Sequence, residues 1–251
     1  MSPSTTTSAL SDDDIHQRLI EAIIDQRLPP GTRLGEDKLG QAFGVSRTRI
    51  RQVLIRLAQE QVVTLQPTKG ASVAEPTEDE AREVFEARAV IESVLVQRFV
   101  ARREGVEAAL QALAECIEAE EAARQSGDQA MALRHSGNFH LLLADASGHS
   151  TFAGFLRKLV SRTSLILMSY APVSLSRPWG QAAPLRWVHA CRCDEHRGLL
   201  SALRQATSEP SATPKVVALM TEHLAHIEAG LCFSQPLAPR GALDEALMER
   251  G

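Results

Sequence analysis

Residues 43–54 have the sequence Phe43-Gly44-Val45-Ser46-Arg47-Thr48-Arg49-Ile50-Arg51-Gln52-Val53-Leu54, which predicts a tight turn followed by a helix. Gly44 supplies the backbone freedom that a short turn between two helices needs. Ser46 can cap the second helix by accepting a hydrogen bond from an unpaired backbone N–H group. Behind that cap, apolar side chains recur at the spacing of one helix face, at Val45, Ile50, Val53, Leu54 and Leu57. Because a helix-turn-helix presents the start of its second helix to DNA, this stretch predicts DNA binding.

Three arginines, Arg47, Arg49 and Arg51, lie in the first turns of this predicted helix. The positive end of a helix dipole disfavours each cation there by roughly 0.3–1 kcal/mol, a cost that an anionic partner would offset. The alternative is a surface helix whose arginines are only solvated. The charge distribution favours an anionic partner, because the whole chain has a formal net charge of −4 whereas Lys38 to Gly70 holds six cations and one anion. This asymmetry is typical of a small basic DNA reader attached to a larger acidic body.

The segments around this helix predict a winged helix-turn-helix. An amphipathic first helix, from about 15 to 28, ends at Pro29-Pro30-Gly31, and a short second helix, from about 36 to 42, leads into the turn. After the arginine helix, the β-prone residues 62–65 and 71–73 flank a turn and predict a hairpin. Lys69 lies at its tip, where a cation can reach a phosphate or the minor groove.

Beyond Glu75-Pro76 the pattern is helical, and Thr77 with Glu80 forms a capping box that starts a new helix. Six helices are predicted near 77–103, 105–125, 128–147, 150–170, 184–206 and 213–233. The fold class is therefore mainly α, with an N-terminal winged helix-turn-helix and a C-terminal all-helical antiparallel bundle. We expect a disordered leader over 1–10, the DNA-binding domain over 11–75, the bundle over 76–235 and a flexible tail over 236–251.

Composition excludes several other classes. The N-terminus has neither the basic start nor the apolar core of a signal peptide, and no apolar run approaches the roughly 20 residues that span a bilayer. Four cysteines are few for this length and indicate reduced thiols in a cytoplasm. Glycine-rich phosphate loops and nucleophile triads are absent from the sequence. The sequence predicts a cytoplasmic protein with no membrane partner.

Three histidines, His140, His196 and His223, lie on core-facing stripes of three different predicted helices. Such side chains can converge inside a bundle, and neutral imidazole is a good ligand for zinc, nickel, copper or iron. The alternative is three separate core histidines, each hydrogen-bonded to a carbonyl or carboxylate. A further cluster, His189-Ala190-Cys191-Arg192-Cys193-Asp194-Glu195-His196, suggests an independent zinc site, but no second cysteine pair completes a tetrahedral set there.

Several motifs, taken in order, resemble those of GntR-family bacterial transcriptional regulators, in the FadR/VanR branch with a C-terminal FCD effector domain. In the winged helix they are Pro30-Gly31-Thr32-Arg33-Leu34-Gly35-Glu36, Gly44-Val45-Ser46-Arg47-Thr48 and Lys69-Gly70-Ala71-Ser72-Val73. In the bundle they are Glu86-Ala87-Arg88-Ala89-Val90-Ile91-Glu92, Phe139-His140, Ser147-Gly148, Glu195-His196-Arg197 and Met220-Thr221-Glu222-His223-Leu224. The resemblance implies a homodimeric repressor that binds a short palindromic operator and responds to a small metabolite, such as an organic acid, in the helical domain.

The resemblance also assigns DNA-contacting residues. Arg47 and Arg51 match arginines of the family that contact DNA, Thr48 matches a position that contacts the DNA backbone, and Gly70 matches the glycine of the wing. Arg49 and Lys69 add cations to the same surface. Asp37 occupies a position where some relatives use a DNA-contacting arginine, so that contact is absent here.

In the helical domain the resemblance implies a divalent metal, zinc or nickel, held by His140, His196 and His223. Many relatives add an aspartate four residues before the first histidine, where this chain has Ser136. Arg88 matches an arginine that often points into the effector pocket and could pair with a carboxylate, although it could equally form an ordinary salt bridge. The rival interpretation of the three histidines is a metal-dependent enzyme.

Overall fold

The computed structural model describes residues 10–24, 27–102, 104–170 and 193–233. These residues divide into two compact units, one that ends at Glu75 and one that begins at Pro76. Most of the predicted leader, the predicted tail, the break at 177–180, the start of the helix predicted at 184, and the residues His189 and Cys191 lie outside the described residues.

The first unit is a winged helix-turn-helix, as the sequence predicts. Its helices are α1 (Asp12–Ile24), α2 (Glu36–Phe43) and α3 (Arg47–Gln59), and its strands are β1 (Arg33–Leu34), β2 (Val63–Gln66) and β3 (Gly70–Val73). Gly44 ends α2 with a φ of 66°, and the Ser46 hydroxyl caps α3 by accepting a hydrogen bond from the Arg49 N–H group. The buried side chains of α3 are those of the predicted stripe, Ile50, Val53, Leu54 and Leu57.

The wing has one strand more than the sequence predicts. β2 and β3 form the expected antiparallel hairpin, and β1 pairs with the other edge of β3, so that the sheet order is β1-β3-β2. The sequence does not predict β1, because two residues are too few to show the alternation of apolar and polar side chains that marks a strand. The first helix is also shorter than predicted, since α1 ends at Ile24 and the buried Leu28 follows outside it.

The second unit is helical throughout its described residues. It comprises α4 (Glu78–Val100), α5 (Val106–Gln125), α6 (Gln129–Ala146), α7 (Ser150–Tyr170), α8 (Cys193–Ser208), a 3-10 turn (Pro210–Ala212) and α9 (Thr213–Ala229). The predicted capping box of Thr77 and Glu80 begins α4. The core is built from apolar stripes on facing helices, which include Phe85, Phe99, Leu113, Phe139, Leu203 and Met220. The predicted mainly-α fold class is confirmed.

Among the described residues, no helix combines the length and the apolar character that crossing a membrane requires.

Candidate functional site

The three predicted histidines meet inside the helical unit, one from each of α6, α8 and α9. His196 Nε2 lies 3.2 Å from His223 Nε2, which lies 3.4 Å from His140 Nε2. The potential ligand atoms of all three side chains lie within 4.8 Å of one another. Each histidine is almost completely buried. Each histidine lies on a core-facing stripe of its helix, and the packing of the three helices brings the side chains to one point.

Each histidine is hydrogen-bonded through its Nδ1 atom to a glutamate carboxylate. The Nδ1 atom lies 2.5 Å from Glu92 in His140, 2.8 Å from Glu120 in His196 and 2.7 Å from Glu195 in His223. Glu92 and Glu195 occur within two of the family motifs but are not predicted as partners of the histidines, and Glu120 occurs in none of the motifs. A signal was present, since Glu120 continues the buried stripe of Leu113, Cys116 and Ile117 on α5.

The electrostatics of the Glu92–His140 pair favour a charged acid and a neutral imidazole. Burial opposes ionisation of Glu92, but the neighbouring Arg88 guanidinium and His140 outweigh it and lower the pKa of Glu92 to about 2. Burial lowers the pKa of His140 to about 3, which the carboxylate of Glu92 only partly counteracts. At neutral pH, Arg88 is therefore the cation that keeps Glu92 ionised, and His140 is neutral.

The other two carboxylates are also ionised. Burial works against the charge of Glu120, but hydrogen bonds from His196 and Arg124 lower its pKa below the usual value. The pKa of Glu195 is lowered despite burial, because His223 and His226 donate to it. Burial lowers the pKa of His223, so this imidazole is neutral as well.

These protonation states leave lone pairs at the centre of the cluster. An ionised carboxylate can only accept hydrogen bonds, so each Nδ1 carries a proton, and the Nε2 atoms of the neutral His140 and His223 present lone pairs. Ring nitrogens at such short separations call for a cation between them. Carboxylates that orient histidines through Nδ1 also recur around metal ions, where they raise the basicity of the ligand. The donor set and its surroundings therefore fit a divalent metal with nitrogen ligands.

Arg88 lies beside this cluster on α4. Its Nε donates to Glu92 Oε1 at 2.8 Å and its Nη1 donates to Thr163 Oγ1 at 3.3 Å, within a side chain that is almost fully buried. Its Nη2 is buried and has no hydrogen-bond partner among the described residues. Arg88 thus forms the salt bridge that the sequence left open, and its Nη2 amino group can still donate to an anion.

Ser136 lies one turn before His140 on α6 and is buried. The resemblance assigns Ser136 to the effector site, and the residue lies on the same helix as His140. For the separate zinc site suggested around Cys191 and Cys193, His189 and Cys191 lie outside the described residues. His196, the last residue of that sequence cluster, belongs instead to the three-histidine cluster.

The candidate DNA-binding residues lie on the surface of the first unit. Arg47, Thr48, Arg51, Lys69 and Gly70 are all exposed, and Arg49 is half-buried. Lys69 precedes Gly70 at the tip of the hairpin, where a φ of 80° at Gly70 suits a glycine. The start of α3 and the wing therefore both present cations to solvent.

Acidic residues pair with the arginines of α3. Arg47 Nε lies 2.8 Å from Asp37 Oδ1, and Arg51 Nε lies 3.9 Å from Glu36 Oε1. Arg49 binds Asp12 on α1 at 2.6 Å and the Leu10 carbonyl oxygen at 2.7 Å. Arg56 pairs with Asp13. These four acids lie outside the segment Lys38 to Gly70, so the charge within that segment does not predict the pairing.

The family assignment rests on two regions of the chain. The family model described as bacterial regulatory proteins of the gntR family matches residues 12–73, and the model of the FCD domain matches residues 83–226. The chain belongs to the GntR family, in the group with an FCD domain. Because the GntR family consists of regulatory proteins, the interpretation of the three histidines as the centre of an enzyme is set aside.

Individual GntR relatives match over shorter stretches. A gluconate operon transcriptional repressor of Bacillus licheniformis is 36% identical over 85 residues, which cover 34% of this chain and 33% of that protein. The chain spans between 26% and 58% of the length of the first curated relatives that it matches. Two solved structures share the fold at lower identity. McbR/YncC of E. coli has a TM-score of 0.69 at 20% identity, covering 88% of this chain and 98% of that chain. A GntR structure from Rhodococcus has a TM-score of 0.68 at 21% identity, covering 87% and 95%.

Proposed function

We propose that this protein is a ligand-responsive transcriptional repressor that binds a short palindromic operator as a homodimer in the cytoplasm. The observation that carries the proposal is the combination, in one chain, of a capped α3 with exposed Arg47 and Arg51 and a helical unit with a buried three-histidine cluster. In a dimer, each subunit would place one α3 in a major groove, and the dimer geometry would set the spacing of the half-sites.

The DNA-binding roles follow the chemistry of the exposed side chains. Arg47 and Arg51 would read guanines, and each bidentate contact of this kind supplies about 1–3 kcal/mol of discrimination. Thr48 and the wing residues Lys69 and Gly70 would contact the sugar-phosphate backbone, which fixes position without reading sequence. Arg49 would contact DNA at the same surface only after it leaves Asp12.

In the helical unit, His140, His196 and His223 would hold a divalent ion, zinc or nickel. A bound ion would supply positive charge in a buried site and thereby attract an acidic ligand. The protein ligands would be three imidazoles, and Ser136 offers only a hydroxyl one turn from His140. A carboxylate effector would therefore fill a position that no charged side chain of the cluster supplies.

Arg88 would bind the effector by donating from Nη2 to a carboxylate oxygen, because this nitrogen is buried with no partner among the described residues. The same helix, α4, carries Glu92, which holds His140. α4 begins at Glu78, five residues after the wing strand β3 ends at Val73. An effector that changed the position of α4 would act on the segment that joins the two units. Regulation requires different effector affinities in the DNA-competent and DNA-incompetent arrangements.

Selection from a library of randomised DNA duplexes tests the proposal. We expect the full-length protein to recover a palindromic sequence, which it binds with the mass of two chains. Arg51→Ala should weaken binding to that duplex by about 1–3 kcal/mol and relax the preference at one base pair. Arg98→Ala removes an exposed arginine of α4 and should change neither. A protein that recovers no preferred sequence, or an Arg51→Ala variant with unchanged affinity and preference, would contradict the proposal.

A further inference from the structure

The two exposed arginines at the start of α3 are each approached by an acid from the start of α2. In both pairs the shortest contact is made by the arginine Nε, at 2.8 Å for Arg47 with Asp37 and 3.9 Å for Arg51 with Glu36. The Arg47 and Asp37 side chains are 67% and 62% exposed, so this pair remains open to a partner from solvent. Of the two ion pairs, Arg47 with Asp37 has the shorter distance, and it lies at the surface proposed to face DNA.

The remaining arginines of α3 are engaged differently. Arg49 donates from Nε to Asp12 Oδ1 at 2.7 Å and from Nη2 to the Leu10 carbonyl at 2.7 Å, so two of its nitrogens are engaged by the start of α1 and by the chain two residues before it. Arg56 pairs with Asp13, also on α1. The arginines of α3 thus divide into two that hold the α1 region and two that lie beside the start of α2.

We propose that Asp37 is a positioning residue that fixes the guanidinium of Arg47 for reading one guanine, an inference that rests on the proposed DNA binding. A guanidinium is a rigid planar fork with five N–H donors. When a carboxylate holds the fork at Nε, the plane of the guanidinium is fixed while the terminal amino groups remain at its far end. Guanine O6 and N7 accept two parallel hydrogen bonds from such a group.

The charge of Asp37 has a second consequence. A carboxylate on the DNA-facing surface repels phosphates of every sequence and reduces the net charge that drives non-specific binding. Asp37 therefore lowers the affinity for DNA in general and sharpens the discrimination at the base pair that Arg47 reads. A carboxylate that acted only on the phosphates would weaken binding to all duplexes equally and leave the discrimination unchanged. A carboxylate that only competed with guanine for Arg47 would lower the discrimination, so its removal would increase it.

The experiment compares Asp37→Asn with Asp13→Asn, which removes the same charge from an acid that pairs with Arg56 at α1. The probes are the duplex recovered from the randomised library by the full-length protein, its single-base substitutions and one unrelated duplex. Their dissociation constants are measured by fluorescence anisotropy at one salt concentration. Arg47→Ala identifies the guanine that this side chain reads. Thermal unfolding followed by circular dichroism establishes that each variant is folded.

For the wild type we expect about 5- to 150-fold discrimination at that guanine, the range that one bidentate contact gives. Asp37→Asn should reduce this discrimination at least about threefold while binding the unrelated duplex more tightly. Asp37→Glu keeps the carboxylate, so its discrimination should lie between those of the wild type and Asp37→Asn. Asp13→Asn should leave the discrimination unchanged. The proposal is overturned if Asp37→Asn strengthens binding to all duplexes by one common factor, if it increases the discrimination, or if it changes none of the dissociation constants. If the wild type recovers no sequence at all, it is the proposed DNA-binding function that fails.

Discussion

Glu120 Oε2 lies 2.8 Å from His196 Nδ1, and both side chains are completely buried. The charge of this carboxylate is balanced on its other oxygen by Arg124, whose Nη2 lies 2.6 Å from Glu120 Oε1. The hydrogen bond fixes the ring so that its Nε2 points at the other two histidines. The same arrangement, a carboxylate behind each imidazole, repeats at Glu92 and Glu195.

The first prediction concerns this carboxylate. Glu120→Gln keeps an oxygen that can accept from His196 but removes the charge that raises the basicity of the ring. We expect metal affinity to fall by about 10- to 100-fold, as is usual when a carboxylate behind a ligand is changed. Competition with a chromogenic zinc chelator measures the change. The control is Glu121→Gln, because Glu121 is the next residue on α5 and pairs with Arg197 instead. Equal zinc affinity in the two variants would contradict the role of Glu120.

Arg88 is predicted to be the contact for an acidic effector. Arg88→Lys retains a cation beside Glu92, so the buried acid keeps a charged partner, but it loses the forked donor that holds Glu92 and an effector at once. We expect the variant to bind metal and DNA like the wild type and to lose at least about tenfold in its response to the acid, equivalent to about 1.4 kcal/mol.

A screen of small mono- and dicarboxylates for release of the selected duplex provides the measurement. The matched control is Arg82→Lys, since Arg82 pairs with Glu78 on the same helix at an exposed position. An acid that releases DNA equally well from the wild type and from Arg88→Lys would show that Arg88 does not bind it.

Ser136 is predicted to set how strongly metal binding depends on the effector. The residue lies one turn before His140, where side chains four positions apart on a helix are neighbours. Ser136→Asp would add an anionic ligand to the three imidazoles. We expect metal affinity in the absence of effector to rise by at least about tenfold, or 1.4 kcal/mol. Isothermal titration with zinc checks this, with Ser136→Asn as the uncharged control. A similar gain in both variants would rule out the added charge as the cause.

Much of this fold is predictable because it is encoded locally. Gly44, Ser46 and the apolar stripe of α3 define the helix-turn-helix, and Thr77 with Glu80 marks the start of α4. The two-residue strand β1 is not encoded in this way. It exists only because β3 offers it an edge to pair with.

The residues of the candidate site likewise divide into those that local sequence predicts and those that depend on contacts between elements. His140, His196 and His223 are predictable, because a polar ring on a core-facing stripe is unusual and the family motifs place all three. Which carboxylate pairs with which histidine is not predictable from spacing, since Glu92 and His140 lie 48 residues apart in sequence on different helices. The pairing of Asp37 with Arg47 depends likewise on how α2 crosses α3. What local sequence cannot supply is the set of contacts made between elements.

The most direct test of the account is the metal content of the purified full-length protein after incubation with zinc or nickel and removal of unbound ions. The wild type is predicted to hold about one ion per chain, because three buried Nε2 atoms converge on a single point. His196→Ala should lose the ion, and His135→Ala, which alters a histidine of α6 outside the cluster, should keep it. A wild-type protein that retains neither metal, or a His196→Ala variant that retains as much as the wild type, would contradict the assignment of the three-histidine cluster as a metal site.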